Sequence, residues 1–570
     1  MENNDFDLIN KSNKRKTIII ICLVIIVFVL LACLCFVVIK GNGDFSSVPD
    51  TSQNNNQQPN DDVTSDDNED ISDSDEDASN DSEDSSDVAN KDEEKVQIEA
   101  ECNDVTMPSS MVGNAIEDFD FKFLQIENQK SNKVYSPISI KYALKMIEAG
   151  AAESSKTQIS NLMGSYNVNK YINNDNMSFA NGLFVKDTYK ENIKDSYVNT
   201  LTNNYNAEII YDSFKSPDVL NNWVSNKTFN LIDNVTDDIS NEDFMLVNAL
   251  AIDMEWVNKI RGKDYSVHYD HRMGAYMYVP QFDGNGYDYL KFDNSTQSVK
   301  SLMIGAIVNR YDILNDLGEQ NIRSTVKNDY SNWLTNDAID ECGSLDGWPD
   351  AETYVNNYIK EIGTGYNEAS SSTDFYFYTD DNVKVFAKDL KEYNGKTLQY
   401  IGIMPTNVEL KTYIENIKAS DVTYFIDNLK TVELENFKDG VITKIEGYIP
   451  IFSFEYNLNL MDDLVKLGVS DVFDKSKANL SNFVTGPANI GDVTHKSNIE
   501  FSNEGIKVAA VTTVYGEGAG GCDYDYLYDV PIETIDLTFD NPYLFLIIDK
   551  DSKEVWFTGT VYEPLEFNYE

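Results

Sequence analysis

Two stretches, NKVYSPISI at residues 132–140 and NPYLFLI at residues 541–547, bracket the part of the chain that decides the fold. From the first stretch onward, apolar residues recur with helical spacing through residues 138–163, as they also do in residues 116–125. The second stretch leads into the short apolar run at residues 544–548, which is typical of a buried strand. Helices near one stretch and strands near the other predict an α+β fold.

Three further apolar runs predict strands in the second half of the chain, at residues 400–404, 448–454 and 555–559. The composition becomes that of a globular protein near residue 111, and no internal repeat is visible after it. We therefore predict one folded domain over residues 109–566.

The formal net charge is −51 and the chain has three histidines, His268, His271 and His495. Such an acidic chain repels phosphates, which argues against nucleic acid as a partner. The shortage of histidine leaves few candidates for a general base. A serine hydrolase is therefore disfavoured, and we predict that the chain is not an enzyme.

Residues 17–39 form an apolar segment without charge or proline, long enough to span a bilayer as a helix. Basic residues precede the segment and acidic ones follow it, so the positive-inside rule places residues 1–16 in the cytoplasm and the rest outside. The alternative is a cleaved lipoprotein signal ending near Cys33. We predict a single-pass protein of the cell membrane whose domain is extracellular.

Residues 40–108 are rich in Asp, Glu, Ser and Asn, with almost no large apolar side chains. Such a segment cannot bury enough surface to offset the entropy of ordering, so we predict a disordered acidic linker. About 60 flexible residues give a mean reach of about 40 Å, and self-repulsion extends it. The linker is either a spacer through the cell envelope or a tail without a specific role.

The cysteines beyond the apolar segment are Cys102, Cys342 and Cys522, an odd number without regular spacing. This pattern indicates neither a disulfide framework nor a zinc site. At least one of the three thiols should be free or paired between chains, and we expect Cys522 to be an exposed thiol.

An ordered set of motifs runs through the predicted domain. The motifs are Asn132-Lys133-Val134-Tyr135-Ser136-Pro137-Ile138-Ser139-Ile140, Ala180-Asn181-Gly182-Leu183-Phe184-Val185, Asn222-Trp223-Val224, Leu246-Val247-Asn248-Ala249, His495-Lys496, Asn503-Glu504-Gly505 and Asn541-Pro542-Tyr543-Leu544-Phe545. Each motif alone is weak, but together and in this order they resemble the serpin family of protease inhibitors. The resemblance implies three β-sheets surrounded by helices, with an exposed reactive loop at about residues 503–530.

The resemblance also implies a polar cluster that controls the opening of the central sheet. Its members here are Ser136, Ser139, Asn248 and His495, and Trp256 would sit where the loop first enters the sheet. Small hydroxyls, an amide and an imidazole can satisfy one another when they are buried, and breaking such a network is costly.

The hinge of the loop is predicted at Glu504, Gly505, Ile506, Lys507, Val508, Ala509, Ala510, Val511 and Thr512. Strand alternation places Ile506, Val508, Ala510 and Thr512 on one face, and these side chains are apolar or small. No proline or acidic residue follows Gly505 in this segment, so it is suited to enter a sheet as a strand.

The position of the bond that a protease would cut is left open by the length of the loop. Counting forward from Gly505 suggests Ala519-Gly520, whereas counting back from Asn541 suggests a bond near Val530. The remaining candidates lie between these two positions. They are Tyr524, Tyr526, Leu527 and Tyr528.

An insertion relative to the family is predicted at about residues 284–373, which either docks a partner or simply extends the surface. His268 and His271 have the spacing of a weak metal motif, but we predict no metal site and no cofactor. The resemblance implies that a cleaved loop inserts into the central sheet and traps the protease. We expect a serine- or cysteine-type protease as the partner, and a surface binding or adhesion module is the alternative.

Overall fold

The structure is a computed structural model that describes residues 111–260, 265–270, 275–280, 287–293, 298–362, 367–491, 493–506, 524, 526 and 531–567. The predicted cytoplasmic tail, apolar segment and acidic linker lie outside these residues, and so do residues 507–512 of the hinge. Within the described ranges, no helix combines the length and the hydropathy needed to cross a membrane.

The helices of the described residues gather mainly before residue 230 and between residues 313 and 362. They are α1 (Phe119–Ile126), α2 (Pro137–Gly150), α3 (Glu153–Met163), α4 (Asp195–Tyr205), α5 (Asp218–Lys227), α6 (Ile313–Leu317), α7 (Glu319–Asn336), α8 (Ala338–Cys342), α9 (Ala351–Ile362), α10 (Leu410–Asn416), α11 (Ala419–Asp427) and α12 (Leu460–Lys466).

The strands of the first half alternate with these helices. They are β1 (Lys133–Tyr135), β2 (Met177–Lys186), β3 (Glu208–Asp212), β4 (Phe244–Ile252), β5 (Met254–Glu255), β6 (Tyr265–Asp270), β7 (Ala275–Pro280), β8 (Asp288–Lys291), β9 (Ser298–Asn309) and β10 (Glu368–Ser371). Strands dominate the second half. They are β11 (Tyr376–Thr379), β12 (Val383–Asp389), β13 (Leu398–Pro405), β14 (Ile442–Pro450), β15 (Phe452–Asn459), β16 (Thr494–Phe501), β17 (Gly505–Ile506), β18 (Ile532–Asp536), β19 (Tyr543–Asp549) and β20 (Val555–Val561). The α+β prediction is confirmed.

The first motif forms a strand followed by a helix. Ser136 is extended and its hydroxyl accepts a hydrogen bond from the backbone N–H of Ser139, which caps α2. Pro137 then occupies the first helical position, where a missing N–H costs nothing. The helical pattern predicted over residues 138–163 breaks after Gly150, so that α2 and α3 are separate helices.

A six-stranded sheet in the order β1-β20-β19-β13-β12-β11 carries the largest buried apolar surface. The side chains of β19 and β20 are buried along both strands, because other elements cover both faces. Each apolar run predicted as a strand lies in this sheet or in β14 and β15. A second sheet has the order β10-β9-β14-β18, with β8 paired to β9.

The central sheet is divided into two parts, where the resemblance predicts one continuous sheet. One part has the order β3-β2-β4 and the other has the order β15-β16-β17-β5. Because β5 follows β4 after a single residue, the two parts are joined by the chain at one end. The opening between β4 and β16 is the feature from which the candidate site is built.

The helices α6 to α9 lie between β9 and β10 and form a small helical module. Val326 and Val355 from two of these helices are buried together with Ile307 of β9 and Ile442 of β14. This packing fixes the module to the second sheet. Most of the predicted insertion at 284–373 falls on this module and on β8 to β10.

Candidate functional site

The first two residues of the predicted hinge strand already occupy a place in the central sheet. Gly505 pairs with Glu255 and Ile506 pairs with Met254 on one side, while Ile506 pairs with Phe501 on the other. Both pairings are antiparallel. The start of the reactive loop is therefore a strand between β16 and β5.

A tight turn before Gly505 is held by hydrogen bonds from the chain that follows β5. The backbone N–H of Trp256 donates to the carbonyl oxygen of Glu504 at 3.0 Å, and its indole N–H donates to that of Ser502 at 2.9 Å. The N–H of Ile260 donates to the carbonyl oxygen of Asn503 at 3.0 Å. The Trp256 side chain is fully buried, so these bonds are shielded from water.

The opening continues below Ile506 as a cavity between the two parts of the sheet. Leu250 and Ile252 of β4 line one wall, and Ile499 of β16 lines the other. Ile547 and Phe557 of the six-stranded sheet also line the cavity. The polar residues of its lining are Thr228, Asn498 and Glu500. A largely apolar opening in line with β17 is suited to receive the next apolar residues of the same strand.

Three of the predicted cluster residues lie together at one side of this opening. The backbone N–H of Ser136 donates to Nε2 of His495 at 2.9 Å. The hydroxyl of Ser497 lies 2.8 Å from the same nitrogen. The Ser139 side chain is buried beside them, and its hydroxyl has no hydrogen-bond partner within the described part of the chain.

The hydrogen bonds of His495 determine its protonation state. Because a backbone N–H donates to Nε2, this nitrogen must be an acceptor and the ring proton lies on Nδ1. Removal of the imidazole from water lowers its pKa to about 4. The ring is therefore neutral at physiological pH and holds the start of α2 against β16.

Asn248 lies on β4, across the opening from His495 on β16. Its amide N–H donates to the side-chain oxygen of Asn181 at 2.7 Å, and Asn181 donates to the carbonyl oxygen of Tyr205 at 2.7 Å. The side-chain oxygen of Asn248 is buried and has no partner among the described residues. The structure thus places Asn248 and His495 on opposite walls, each with its own network.

The described part of the later loop lies against the helical module. Tyr524 and Tyr526 both contact α9, where Tyr354 and Tyr358 donate hydrogen bonds to their carbonyl oxygens. The other candidate bond positions lie outside the described residues. They are Ala519, Gly520, Leu527 and Tyr528.

A sequence model of the family described as Serpin (serine protease inhibitor) matches residues 114–267 and 370–564. The chain belongs to the serpin family. The two matched stretches contain the whole central sheet, and the helical module of this serpin falls in the interval that the model leaves unmatched.

Relatives of this serpin are recognisable over unequal lengths. Serine protease inhibitor 88Ea of Drosophila melanogaster is 32% identical over 130 residues, which are 23% of this chain and 28% of that protein. An uncharacterized serpin-like protein of Methanosarcina acetivorans is 21% identical over 473 residues, which are 78% of this chain and 85% of that protein. The matches to the first three curated relatives cover 28%, 36% and 46% of their lengths.

Solved structures show the same fold. The native structure of Tengpin, a thermophilic serpin, aligns with a TM-score of 0.51 at 21% identity. The alignment covers 78% of this chain and 93% of Tengpin. At this identity the likeness shows the fold alone, which is that of a serpin.

Some contacts at the candidate site of this serpin could not be predicted from a single sequence. Asn181 lies opposite Asn248 only through the register of β2 with β4, which the sequence does not reveal. Ser497 does have a signal, because it follows His495 by two positions and shares its strand face. The contacts of Tyr354 and Tyr358 on α9 could not be predicted, since nothing in the sequence indicates what these side chains touch.

A metal site has no support within the described ranges, where His, Cys, Asp and Glu side chains form no group of three or more suited to an ion. His268 lies on β6, where the structure describes the backbone alone, and His271 lies outside the described residues.

Proposed function

We propose that this serpin inhibits a serine- or cysteine-type protease by inserting its cleaved reactive loop into the central sheet. The observation that carries the proposal is β17, which already lies between β16 and β5 above an open apolar cavity. A strand that has begun to enter the sheet needs no new turn in order to continue. No residue of the chain itself acts as a catalytic residue in this mechanism.

The register of β17 predicts where the inserted residues would lie. Ile506 is opposite Met254 on one side and Phe501 on the other. Continuing both antiparallel ladders by six residues places Thr512 opposite Asn248 and His495. The inserted strand would thus join the two walls of the opening.

This register gives each face of the inserted strand a suitable environment. Val508 and Ala510 would share the face of Ile506, which is 3% exposed, and so would enter the apolar cavity. Thr512 would bring a hydroxyl to the side-chain oxygen of Asn248, a buried acceptor that has no partner in the part of the chain that the structure describes. Lys507, by the same alternation, would remain on the outer face.

The chemistry of trapping belongs to the protease. Its nucleophile attacks the carbonyl carbon of the cleaved bond, and the peptide C–N bond breaks as the new amino terminus leaves with a proton. The remaining acyl-enzyme carries the loop residues up to the cut. Their insertion as a strand carries the bound protease away from the position in which it would complete hydrolysis.

A pair of variants tests insertion with the same substitution on opposite faces. Val508→Asp would bury an unpaired carboxylate in the sheet, whereas Val511→Asp would leave it on the outer face. We expect the full chain and Val511→Asp to form a protease complex that survives denaturing electrophoresis. Val508→Asp should be cut without being trapped, and equal complex yields from both variants would exclude insertion.

The alternative is a serpin that works as a surface binding module and traps no protease. It is favoured by the helical module, which the family model does not match. Cleavage of the wild-type loop without any stable complex, across serine- and cysteine-type proteases, would support this alternative. The pre-inserted strand favours inhibition over it.

For the target we propose proteases of the subtilisin, chymotrypsin or elastase kind. The loop contains tyrosine, leucine and alanine but no basic residue after Lys507. Hydrophobic or small pockets accept these side chains, and a pocket that requires a positive charge does not.

For the location we propose an extracellular domain attached to the cell membrane by residues 17–39. Their length, the absence of charge and the basic residues before them support an uncleaved anchor. The acidic residues 40–108 would then act as a spacer. A lipoprotein cleaved before Cys33 is the second possibility and would also leave the domain attached.

A further inference from the structure

An aromatic site on the helical module surrounds one residue of the reactive loop. The ring of Tyr524 lies 4.6 Å from that of Trp333, 5.1 Å from that of Tyr330 and 5.6 Å from that of Tyr354, measured between centroids. Trp348 completes this cluster from the other side of Trp333, at 4.7 Å. The contact of Tyr524 with Trp333 is tilted, and the other three are edge-to-face. Aromatic contacts of this kind are favourable beyond the area that they bury.

Hydrogen bonds also fix the loop backbone at this site. The hydroxyl of Tyr354 donates to the carbonyl oxygen of Tyr524 at 3.1 Å, and that of Tyr358 donates to the carbonyl oxygen of Tyr526 at 2.9 Å. The hydroxyl of Tyr524 in turn donates to a carboxylate oxygen of Asp329. The backbone is therefore held at two carbonyl groups two residues apart.

The module that presents these groups is braced. The ammonium group of Lys327 on α7 pairs with the carboxylate of Glu352 on α9 at 2.5 Å. Arg323, one turn earlier, donates a hydrogen bond to the side-chain oxygen of Asn356 at 2.7 Å. Since Tyr330 and Tyr354 stack at 4.0 Å between the same helices, the site is preformed between α7 and α9.

The module also contains a cysteine that is oxidised. Cys342, at the end of α8, packs in the same cluster as Tyr524 and is disulfide-bonded. The other cysteines of the chain are Cys22, Cys33, Cys35, Cys102 and Cys522, and they all lie outside the described residues.

We propose that the helical module clamps the distal end of the reactive loop through Tyr524 and Tyr526. The clamp restricts the protease to the loop before Tyr524. As a specificity device it rests on the proposed inhibitory function, although the clamp itself can be tested without inhibition.

The clamp favours one of the two positions that the sequence suggests for the cleaved bond. A protease must draw several residues on each side of a bond into an extended cleft, and a backbone held at two carbonyl groups cannot be drawn in. Bonds at Tyr524 and Tyr526 are thereby protected, and a bond near Val530 would leave the clamp within the segment that must insert. The Ala519-Gly520 bond lies ahead of the clamp and leaves the residues from Lys507 onward free to move.

Protease mapping of the full chain tests the clamp directly. Chymotrypsin, which cuts after aromatic residues, and an elastase, which cuts after small ones, are used in limiting amounts, and the released ends are identified by mass spectrometry. Wild-type protein should be cut between residues 515 and 521 and spared after Tyr524 and Tyr526. Efficient cutting of the wild-type chain after Tyr524 or Tyr526 would overturn the proposal.

The double variant Tyr354→Phe/Tyr358→Phe keeps the rings but removes both hydroxyl donors. We expect chymotrypsin to cut it after Tyr524 and Tyr526 at least about tenfold faster than the wild-type chain. Tyr211→Phe, a change at an exposed tyrosine on β3, serves as the control and should leave the map unchanged. An unchanged map in the double variant would contradict the clamp.

The protease maps of the wild-type chain and of both variants remain readable if the chain traps no protease. Failure of the clamp and failure of inhibition are therefore distinguishable.

Discussion

Gly505 lies against Glu255 so closely that no side chain fits between the two strands. A Cβ atom on Gly505 would stand 2.6 Å from the Cα atom of Glu255 and closer still to the carbonyl oxygen of Met254. The φ angle of Gly505 is not positive. Glycine is therefore required here for lack of space and not for its backbone conformation. The hinge can rest between β16 and β5 because this residue is glycine.

Gly505→Val should expel the hinge strand from the sheet. Two β-carbon substituents cannot occupy the space against β5, and the native state should lose about 1 to 3 kcal/mol of unfolding free energy. Thermal unfolding measures this loss, and gel analysis of protease complexes should show several-fold less trapping. Gly113→Ala is the control, because nothing lies within 4 Å of a Cβ atom there. An unchanged melting temperature and complex yield for Gly505→Val would contradict the pre-inserted hinge.

Thr512→Val should weaken the cleaved form of the inhibitor selectively. Valine matches threonine in shape but removes the hydroxyl that the register brings to Asn248, at a cost of about 1 kcal/mol. Denaturant unfolding of loop-cleaved protein measures this difference. Thr513→Val, on the outer face of the inserted strand, should have a smaller effect. Equal losses of unfolding free energy for both variants would show that the inserted strand does not continue the register of β17.

Stability should fall on acidification through the titration of His495. Its pKa is about 4 in the folded protein against an ordinary value of 6.5, so the unfolded chain binds more protons between these values. The unfolding free energy therefore decreases as the pH falls through this window, by about 1 to 2 kcal/mol between pH 7 and pH 5. His495→Gln should lack this pH-dependent part of the unfolding free energy, which is measured by comparing denaturant curves of the two proteins at each pH. Parallel pH profiles of the two proteins would refute the role of His495 in this pH dependence.

Trypsin-like proteases should not be trapped. No lysine or arginine occurs between residues 508 and 549, so the pocket carboxylate of such a protease finds no charge to pair with. Ala519→Arg should confer trapping of trypsin if the cut falls where the clamp predicts. The readout is the covalent complex formed by each protease with wild-type protein and variant. Efficient trapping of a strictly Arg- and Lys-specific protease by the wild-type chain would contradict this prediction.

The full chain should partition with membranes, and protease added outside intact cells should release the folded domain. Both outcomes follow from residues 17–39 and from the basic residues that precede them. Fractionation followed by immunoblotting measures them. A chain lacking residues 1–39 is the control and should be recovered in the soluble fraction. Mature protein that is found free in the medium and begins beyond residue 39 would exclude the anchor.

Local sequence determined many elements of the fold. Ser136 and Pro137 indicate the start of α2 by themselves, because a hydroxyl cap and a proline at the first position act within one turn. The apolar runs at residues 400–404, 544–548 and 555–559 each lie within one strand, since burial on both faces leaves a continuous apolar signal. The run at residues 448–454 instead spans the end of β14 and the start of β15, and alternate side chains of β15 are exposed. The break between α2 and α3 was missed, because the apolar spacing continues across it.

The features of the candidate site likewise divide into those that the sequence predicts and those that only the tertiary structure reveals. Sequence alone predicts which residues of the hinge can form a strand, because alternation and the absence of proline are local properties. Only the tertiary structure decided that Ile506 is already in the sheet, that Asn248 and His495 face each other across an opening, and that Tyr524 lies among the aromatic rings of α7 and α9. These relationships join segments far apart along the chain. Their register and packing depend on the balance of all the surrounding contacts, which no single stretch of sequence contains.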